Sequence, residues 1–436
     1  MPVARIKKQI VNVVSLGCSK NLVDSEVLMR QLDDHYEVLN DSNEASDIMV
    51  INTCGFIADA KEESIDTILN AIEAKKAGHL KKVVVTGCLS QRYKADLKEQ
   101  IQEVDGFFGV NDLPAILKSL EVDYKTALLG ERHLTTPSHF AYLKISEGCD
   151  RHCAFCAIPL IRGKHVSKPF EDVVAEATHL AKSGVRELLL IAQDVTYYGL
   201  DLYRQRRISE LVNRLSEIEG IKWIRLHYTY PASFPEDLLD VIRTNPKVCN
   251  YLDIPLQHIN SRILNSMKRN LDGAGTRKLV KTMKEKVPNM AIRSTFIVGY
   301  PGESEEEFMQ LMDFVAESRF DRLGVFQYSP EEDTAAYGLA DDVPQEVKQE
   351  REDRLMELQQ EISLQLNQEK QGNVYEVLID KLEAEFYVGR TEFDSPEVDN
   401  EVLIPIAEKS LQIGNLYSVM ITGSDYYDLY GSVVNY

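Results

Sequence analysis

No stretch of about eighteen apolar residues occurs anywhere in the chain, so the sequence offers no membrane-spanning helix. The first nine residues, Met1 to Gln9, carry charges but lack an apolar run followed by a small-residue cleavage site. They do not read as a signal peptide. Positive charge is in deficit: 49 Lys and Arg face 69 Asp and Glu, for a net charge of −20. That disfavours binding dominated by a general attraction to phosphate backbones, although it leaves room for a local basic groove. Disulfides are not expected either. The cysteines number seven, an odd count, and no secretory signal accompanies them. These absences predict a soluble cytoplasmic protein. In a reducing compartment, clustered cysteines point to metal or redox chemistry.

The 436 residues suggest two to four domains, and three textures follow one another. Up to about residue 125, three short apolar runs (Ile10–Leu16, Ile48–Ile51 and Lys82–Thr86) alternate with helical patterns such as Asp24–Leu32 and Ala58–Ala77. This predicts a parallel α/β sheet. Each run ends at a cysteine: Ser15-Leu16-Gly17-Cys18, Ile51-Asn52-Thr53-Cys54-Gly55 and Val85-Thr86-Gly87-Cys88. The carboxyl ends of strands line the ligand crevice of open parallel sheets, so these three distant cysteines are expected to converge on one edge. A polar stretch, Glu131–Ser138, reads as a linker.

The second segment, 135–366, has six strand candidates: Phe140–Ser146, Val185–Asp194, Ile221–Tyr228, Tyr251–Gln257, Ala291–Gly299 and Leu323–Tyr328. Helical patterns lie between them. Six βα-type units fit a partial barrel better than an open doubly wound sheet. An amphipathic linking helix is predicted over Val343–Gln371. From about residue 369 to 436 the texture is all-β, with runs at Val374–Ile379, Val402–Ile406 and Leu416–Ile421, and a small OB-type barrel suits that length.

The densest chemistry is Gly148-Cys149-Asp150-Arg151-His152-Cys153-Ala154-Phe155-Cys156, directly after the first strand of the second segment. Thiolates are soft ligands for zinc or iron–sulfur clusters. Zinc wants four protein ligands, which His152 or His165 could complete. A 4Fe–4S cluster held by three cysteines leaves one iron open, as a substrate-binding cluster requires. Gln193-Asp194, Asp253 to His258 and Gly299 to Glu303 stand at strand ends, where barrel active sites sit. Each also has a purely local explanation. Glu303, for example, suits the first turn of a helix through the helix dipole. Cys249, apart from the others, reads as structural.

The CxxxCxxC spacing with an aromatic residue before its last cysteine resembles the radical S-adenosylmethionine (SAM) superfamily. With Cys18, Cys54 and Cys88, the chain as a whole resembles the methylthiotransferase family within it: a three-cysteine domain, a radical SAM barrel and a small β-barrel called TRAM. The resemblance covers nearly the full length, and the six cysteines match the family pattern. It implies two 4Fe–4S clusters, an auxiliary one on Cys18, Cys54 and Cys88 and the radical SAM one on Cys149, Cys153 and Cys156. It also implies SAM as both radical source and methyl donor, and an electron donor such as flavodoxin or ferredoxin. Phe155, Gln193, Gln257 and Glu303 are the candidates for the SAM-facing region.

Two substrate classes exist in that family. The MiaB-like branch modifies adenosine beside the tRNA anticodon, and the RimO-like branch modifies the β-carbon of an aspartate in the twelfth protein of the ribosomal small subunit. Gly17-Cys18-Ser19-Lys20-Asn21-Leu22-Val23-Asp24-Ser25-Glu26 is similar to the second, where the tRNA branch usually has a Gln-Met-Asn string. Charge points the same way. Residues 371–436 hold twelve Asp and Glu and three Lys and Arg, about −9 in all. A domain gripping tRNA should be basic, whereas an acidic one suits a basic ribosomal protein or simply aids solubility. Reversing the charge of Asp394, Glu397 and Asp399 is therefore expected to weaken recruitment. A third reading is a zinc-stabilised RNA-binding protein without redox chemistry.

Overall fold

The computed structural model describes residues 8–406 and 410–434. Most of Met1–Gln9, together with Glu408 and Lys409 of the acidic count, lies outside them. The chain divides into two compact units.

The first unit comprises Met1–Thr136, Tyr142–Arg151 and Ala157–His179. It holds β1 (Ile10–Ser15), α1 (Ser19–Leu32), β2 (Glu37–Asn40), β3 (Ile48–Thr53), α2 (Ala58–Lys76), β4 (Lys82–Gly87), α3 (Cys88–Arg92), α4 (Lys94–Gln100), β5 (Gly106–Phe107) and α5 (Leu113–Ser119). The strands form a parallel sheet in the order β2-β1-β3-β4-β5. Val11, Val13, Val50, Val84 and Val85 are fully buried, because a sheet covered on both faces needs near-continuous branched apolar runs. In this order the chain leaves β1 in one direction and β3 in the other. The crevice between their carboxyl ends is the topological switch point where such sheets bind ligands. The sequence reading found β1, β3 and β4 but not β2 or β5, which are short edge strands lacking an apolar run. A two-stranded ribbon, β7 (Ser146–Glu147) with β8 (Val166–Ser167), and α6 (Ile158–Arg162) complete the parts of this unit that matter below.

The second unit comprises Pro137–Ala141, His152–Cys156 and Leu180–Tyr436. Its main sheet contains β9 (Glu187–Ile191), β10 (Trp223–Leu226), β11 (Val248–Asp253), β12 (Ala291–Val298) and β13 (Arg322–Gln327), all paired parallel. The order is β13-β12-β11-β10-β9-β6, where β6 (Phe140–Lys144) opens in this unit. Helices return the chain between strands, so this is the expected partial barrel of six strands, left unclosed. A 25-residue helix, Gln345–Glu369, leads to five strands, 374–383, 386–390, 402–405, 416–424 and 429–433, which close into a barrel. Val377, Ile379, Val402, Ile404, Val419, Ile421 and Leu429 fill its interior.

The acidic C-terminal segment turns out to be only partly a surface. Arg225 donates to Glu187 at 2.8 Å, and Arg390 meets the same Glu187 at 2.5 Å and Asp380 at 2.8 Å. Asp394, fully buried, is paired with Arg322. Asp399 accepts from Tyr251 Oη at 2.8 Å and pairs with Arg293 at 3.3 Å, its side chain 1% exposed. Breaking a buried pair by removing one partner costs about 3–5 kcal/mol, so Asp394 and Asp399 are structural counter-ions rather than recruiting charges. That corrects the expectation for these two residues. Composition counts carboxylates without registering which way they face. Among the described residues the exposed acids of the barrel are Glu376, Glu383, Glu385 and Glu397.

Candidate functional site

In the first unit the three scattered cysteines do converge. Cys18 begins α1 three residues past β1, Cys54 follows β3 directly, and Cys88 follows β4 directly. Cys18 and Cys54 flank the switch point. A Cβ on Gly17 would lie 2.7 Å from the Cys54 Cβ and 2.8 Å from its sulfur, and one on Gly55 would lie 2.7 Å from the backbone of Leu89. Glycine is thus required where the loops crowd together. Gly87, with φ +97°, makes the turn that puts Cys88 at the head of α3.

Asn21, a turn into α1, stitches the loops together: its Nδ2 donates to the carbonyls of Leu16 (2.8 Å) and Thr53 (3.0 Å). Asn52 donates back to Asn21 O at 2.8 Å. Ser64 grips the Cys54 backbone, accepting from its N–H at 3.0 Å and donating to its carbonyl at 2.9 Å.

The electrostatics suit thiolates. Burial works to raise the Cys18 pKa, yet Lys20, Arg162 and the N–H groups of Asn21 and Lys20 outweigh it, and the net shift is downward. Burial raises Cys54, and pushes Cys88 to about 11 with Arg162 opposing. Two hydroxyls, Ser15 Oγ and Ser90 Oγ, are buried beside Cys18 and Cys88 without a hydrogen-bond partner among the described residues. Orphaned buried donors of this kind call for an acceptor. Three thiols, two cations and two unsatisfied hydroxyls fit a sulfur-rich, negatively charged cluster.

The central cysteines share one loop. In the first unit, Cys149 N donates to Gly163 O at 3.0 Å. In the second, Ala154 N donates to Met267 O (2.9 Å), Ala336 N to Ala154 O (2.7 Å) and Cys156 N to Cys153 O (3.1 Å). Phe155 packs against a cluster that includes Ile263, Met267, Tyr300 and Tyr328. The Cys153 sulfur accepts from Arg269 Nη1 at 3.2 Å and lies 3.8 Å from Tyr230 Oη. Arg269 stacks on the Tyr230 ring, 4.4 Å from its centroid. Sequence reasoning missed both Arg269 and Tyr230, because nothing in their local pattern marks them. Among the described residues no group of three or more His, Cys, Asp or Glu side chains stands ready to hold a metal ion. His165 is committed elsewhere, to Ser167 Oγ at 3.0 Å.

The remaining candidates sit at the carboxyl edge of the main sheet as expected. Gln193 follows β9, half-buried. Gln257 has φ 75° and bridges Phe296, and its Oε1 is buried without a hydrogen-bond partner among the described residues. Glu303 is already engaged. Its oxygens face His258 Nε2 at 3.2 Å, Arg351 Nη1 at 3.2 Å and the N–H of Gly299. It braces the turn after β12.

Comparison with known proteins follows the same three-part division. An uncharacterized protein family, UPF0004, matches residues 10–109, the radical SAM superfamily 143–315 and the TRAM domain 372–434. The chain is 56% identical to a protein of Christiangramia forsetii named ribosomal protein uS12 methylthiotransferase RimO, over 99% of this chain and 95% of that one. It is 54% identical to the protein of that name from Cytophaga hutchinsonii, over 98% of each. Among solved structures, the radical SAM methyltransferase TsrM from Kitasatospora setae, with tryptophan and a SAM analogue bound, superposes with TM-score 0.53 at 15% identity over 73% of each chain. That likeness concerns the fold alone.

Proposed function

This chain belongs to the ribosomal protein uS12 methylthiotransferase (RimO) family, and from that premise we propose that it inserts a methylthio group at the β-carbon of an aspartate in the twelfth ribosomal small-subunit protein. The observation that carries the reading is the convergence of Cys18, Cys54 and Cys88 at the carboxyl edge of one parallel sheet, separate in sequence from the CxxxCxxC loop. One cysteine set suffices for radical formation, and a second is needed only if something beyond a radical must be supplied. Radical SAM methylthiotransferases use two 4Fe–4S clusters and SAM, which together supply the radical that opens a C–H bond and the sulfur and methyl group that replace the hydrogen. The three domains are assigned to residues 1–125, 135–366 and 369–436.

The chain's own residues hold and shield this chemistry. Cys149, Cys153 and Cys156 would hold the radical SAM cluster, with Arg269 donating to the Cys153 sulfur and Tyr230 holding Arg269 through its ring and its hydroxyl. Gln257, whose buried oxygen has no hydrogen-bond partner among the described residues, and Gln193 would face SAM. Phe155 closes the apolar side of the loop against water. Cys18, Cys54 and Cys88 hold the auxiliary cluster. An electron donor such as flavodoxin or ferredoxin would supply the electrons.

The test is an anaerobic assay offering the ribosomal protein and a tRNA anticodon stem-loop together, read by mass spectrometry. A methylthio gain on the protein alone is expected, and a gain on the stem-loop alone would overturn the substrate assignment. The exposed barrel acids provide a second measurement. Reversing Glu376, Glu385 and Glu397 to lysine is expected to weaken binding of the ribosomal protein about tenfold at low salt, each exposed charge contributing on the order of 0.5 kcal/mol. Iron content should stay unchanged, and the difference should fade as salt rises. Equal low-salt affinities would assign those acids to solubility alone.

A further inference from the structure

Arg162 occupies a position that cluster ligation alone does not account for. It ends α6, six residues after Cys156, and its side chain is 1% exposed. One guanidinium nitrogen, Nη2, donates to Asn21 Oδ1 at 2.5 Å. The other, Nη1, donates to both oxygens of Glu147 at 2.9 and 3.0 Å and to Asp24 Oδ2 at 3.1 Å. The same Asn21 Oδ1 lies 3.6 Å from the Cys88 sulfur, and the Cys88 side chain packs with Ala157 and Ile161 of the same short segment. Lys144 closes the ring, bonded to Asp24 and to Glu147 at 2.8 Å.

The two ends of this ring belong to different cysteine sets. Asn21, Asp24 and Cys88 carry the auxiliary site. Glu147 lies two residues before Cys149, on the ribbon strand that delivers it, and the Cys149 N–H is tied to the carbonyl of Gly163, the residue after Arg162. An arginine made only for burial would need one carboxylate. This one has two carboxylates and an amide oxygen, and its ring partner Lys144 already balances one of the acids. The amide oxygen is the one that Cys88 Sγ also faces.

We propose that Arg162 is a positioning residue that joins the two cysteine sets, holding the strand end before Cys149 in register with the auxiliary site while its bond to Asn21 keeps a fixed positive charge beside Cys88. The inference rests on the auxiliary-cluster reading of Cys18, Cys54 and Cys88. A fixed cation beside a ligand sulfur favours the reduced, more negative cluster. Removing it leaves Asp24 and Glu147 with Lys144 as their only partner in the ring, which disfavours reduction further.

The experiment uses the full chain, reconstituted anaerobically, with Cys149, Cys153 and Cys156 replaced by alanine so that only the auxiliary cluster is observed. Arg162→Gln is expected to keep the iron and to shift the one-electron reduction equilibrium at least tenfold toward the oxidised form, about 59 mV. Arg162→Lys, which keeps the charge but loses the fork, should restore most of that shift. In the chain with all six cysteines, methylthio product per 5′-deoxyadenosine formed should fall at least tenfold in Arg162→Gln. Arg162→Lys should fall between the two. An unmoved potential with an unmoved coupling ratio overturns the proposal, as does loss of auxiliary iron in both variants, which would make Arg162 a folding element only. If the glutamine variant alone loses iron, the lysine variant decides, and its coupling ratio must still fall. No cluster signal at all in the parent triple-alanine chain would instead sink the auxiliary-cluster reading itself.

Discussion

Replacing Cys18, Cys54 and Cys88 together by alanine is expected to remove about half the iron and to abolish methylthio insertion, while reductive cleavage of SAM continues. The fold should survive the change. Cys54 and Cys88 are 8% and 5% exposed, and each substitution deletes one sulfur atom at a loop. The loops themselves are held by Asn21, Asn52 and Ser64, none of which bonds through a cysteine side chain except for the long contact from Cys88 Sγ to Asn21 Oδ1 at 3.6 Å. The sheet below keeps its valine core. Cys249→Ala is the control. Cys249 is 1% exposed and packs with Trp223 and Tyr251, and burial pushes its thiol up to about 12. It lies inside β11 and belongs to neither cysteine set, so its loss should leave the iron count unchanged. Iron analysis, visible absorption and chromatography for 5′-deoxyadenosine measure all three quantities. Methylthio product formed by the triple variant would show that the sulfur does not pass through this site.

Much of this arrangement was legible in the sequence, for a physical reason. Val13, Val50 and Val84 belong to strands buried on both faces, so each strand appears as a short branched apolar run, and its end is marked by a glycine or by polar Asn52-Thr53 before the cysteine. The period of the pattern and the position of the turn are both local, and the switch-point rule then brings the three ends together. What stayed hidden depends on partners far away in the chain. Arg162 meets Asp24, 138 residues earlier, and Arg322 meets Asp394, 72 residues later. No local pattern distinguishes an arginine that will be buried against a carboxylate from one that will be solvated. The same blindness made Asp394 and Asp399 look like surface charge. Arg269 escaped for a related reason: its value to the site comes from stacking on Tyr230, on a different loop.

Replacing Cys149, Cys153 and Cys156 by alanine should give the complementary loss: formation of 5′-deoxyadenosine and of methylthio product both fall below detection, while the other half of the iron stays. The loop that carries these sulfurs is anchored by its backbone, through Cys149 N to Gly163 O, Ala154 N to Met267 O and Ala336 N to Ala154 O, and by the packing of Phe155. None of these contacts needs a thiol, so circular dichroism should be unchanged and the loss can be assigned to chemistry. Arg269 then has no sulfur to bind, but its second nitrogen still reaches Pro255 O and its plane still rests on Tyr230. The auxiliary iron should persist, because its ligands stand at the ends of β1, β3 and β4 and Cys88 packs on Ala157 and Ile161, which come after the altered loop. The pair of triple variants forms a double dissociation. One keeps radical formation without sulfur insertion, and the other keeps an iron centre without any radical. Mixing the two purified variants should not restore product, since both cysteine sets must act within one chain on one bound substrate. Product from the mixture would mean that sulfur moves between molecules and would overturn the division of labour drawn here.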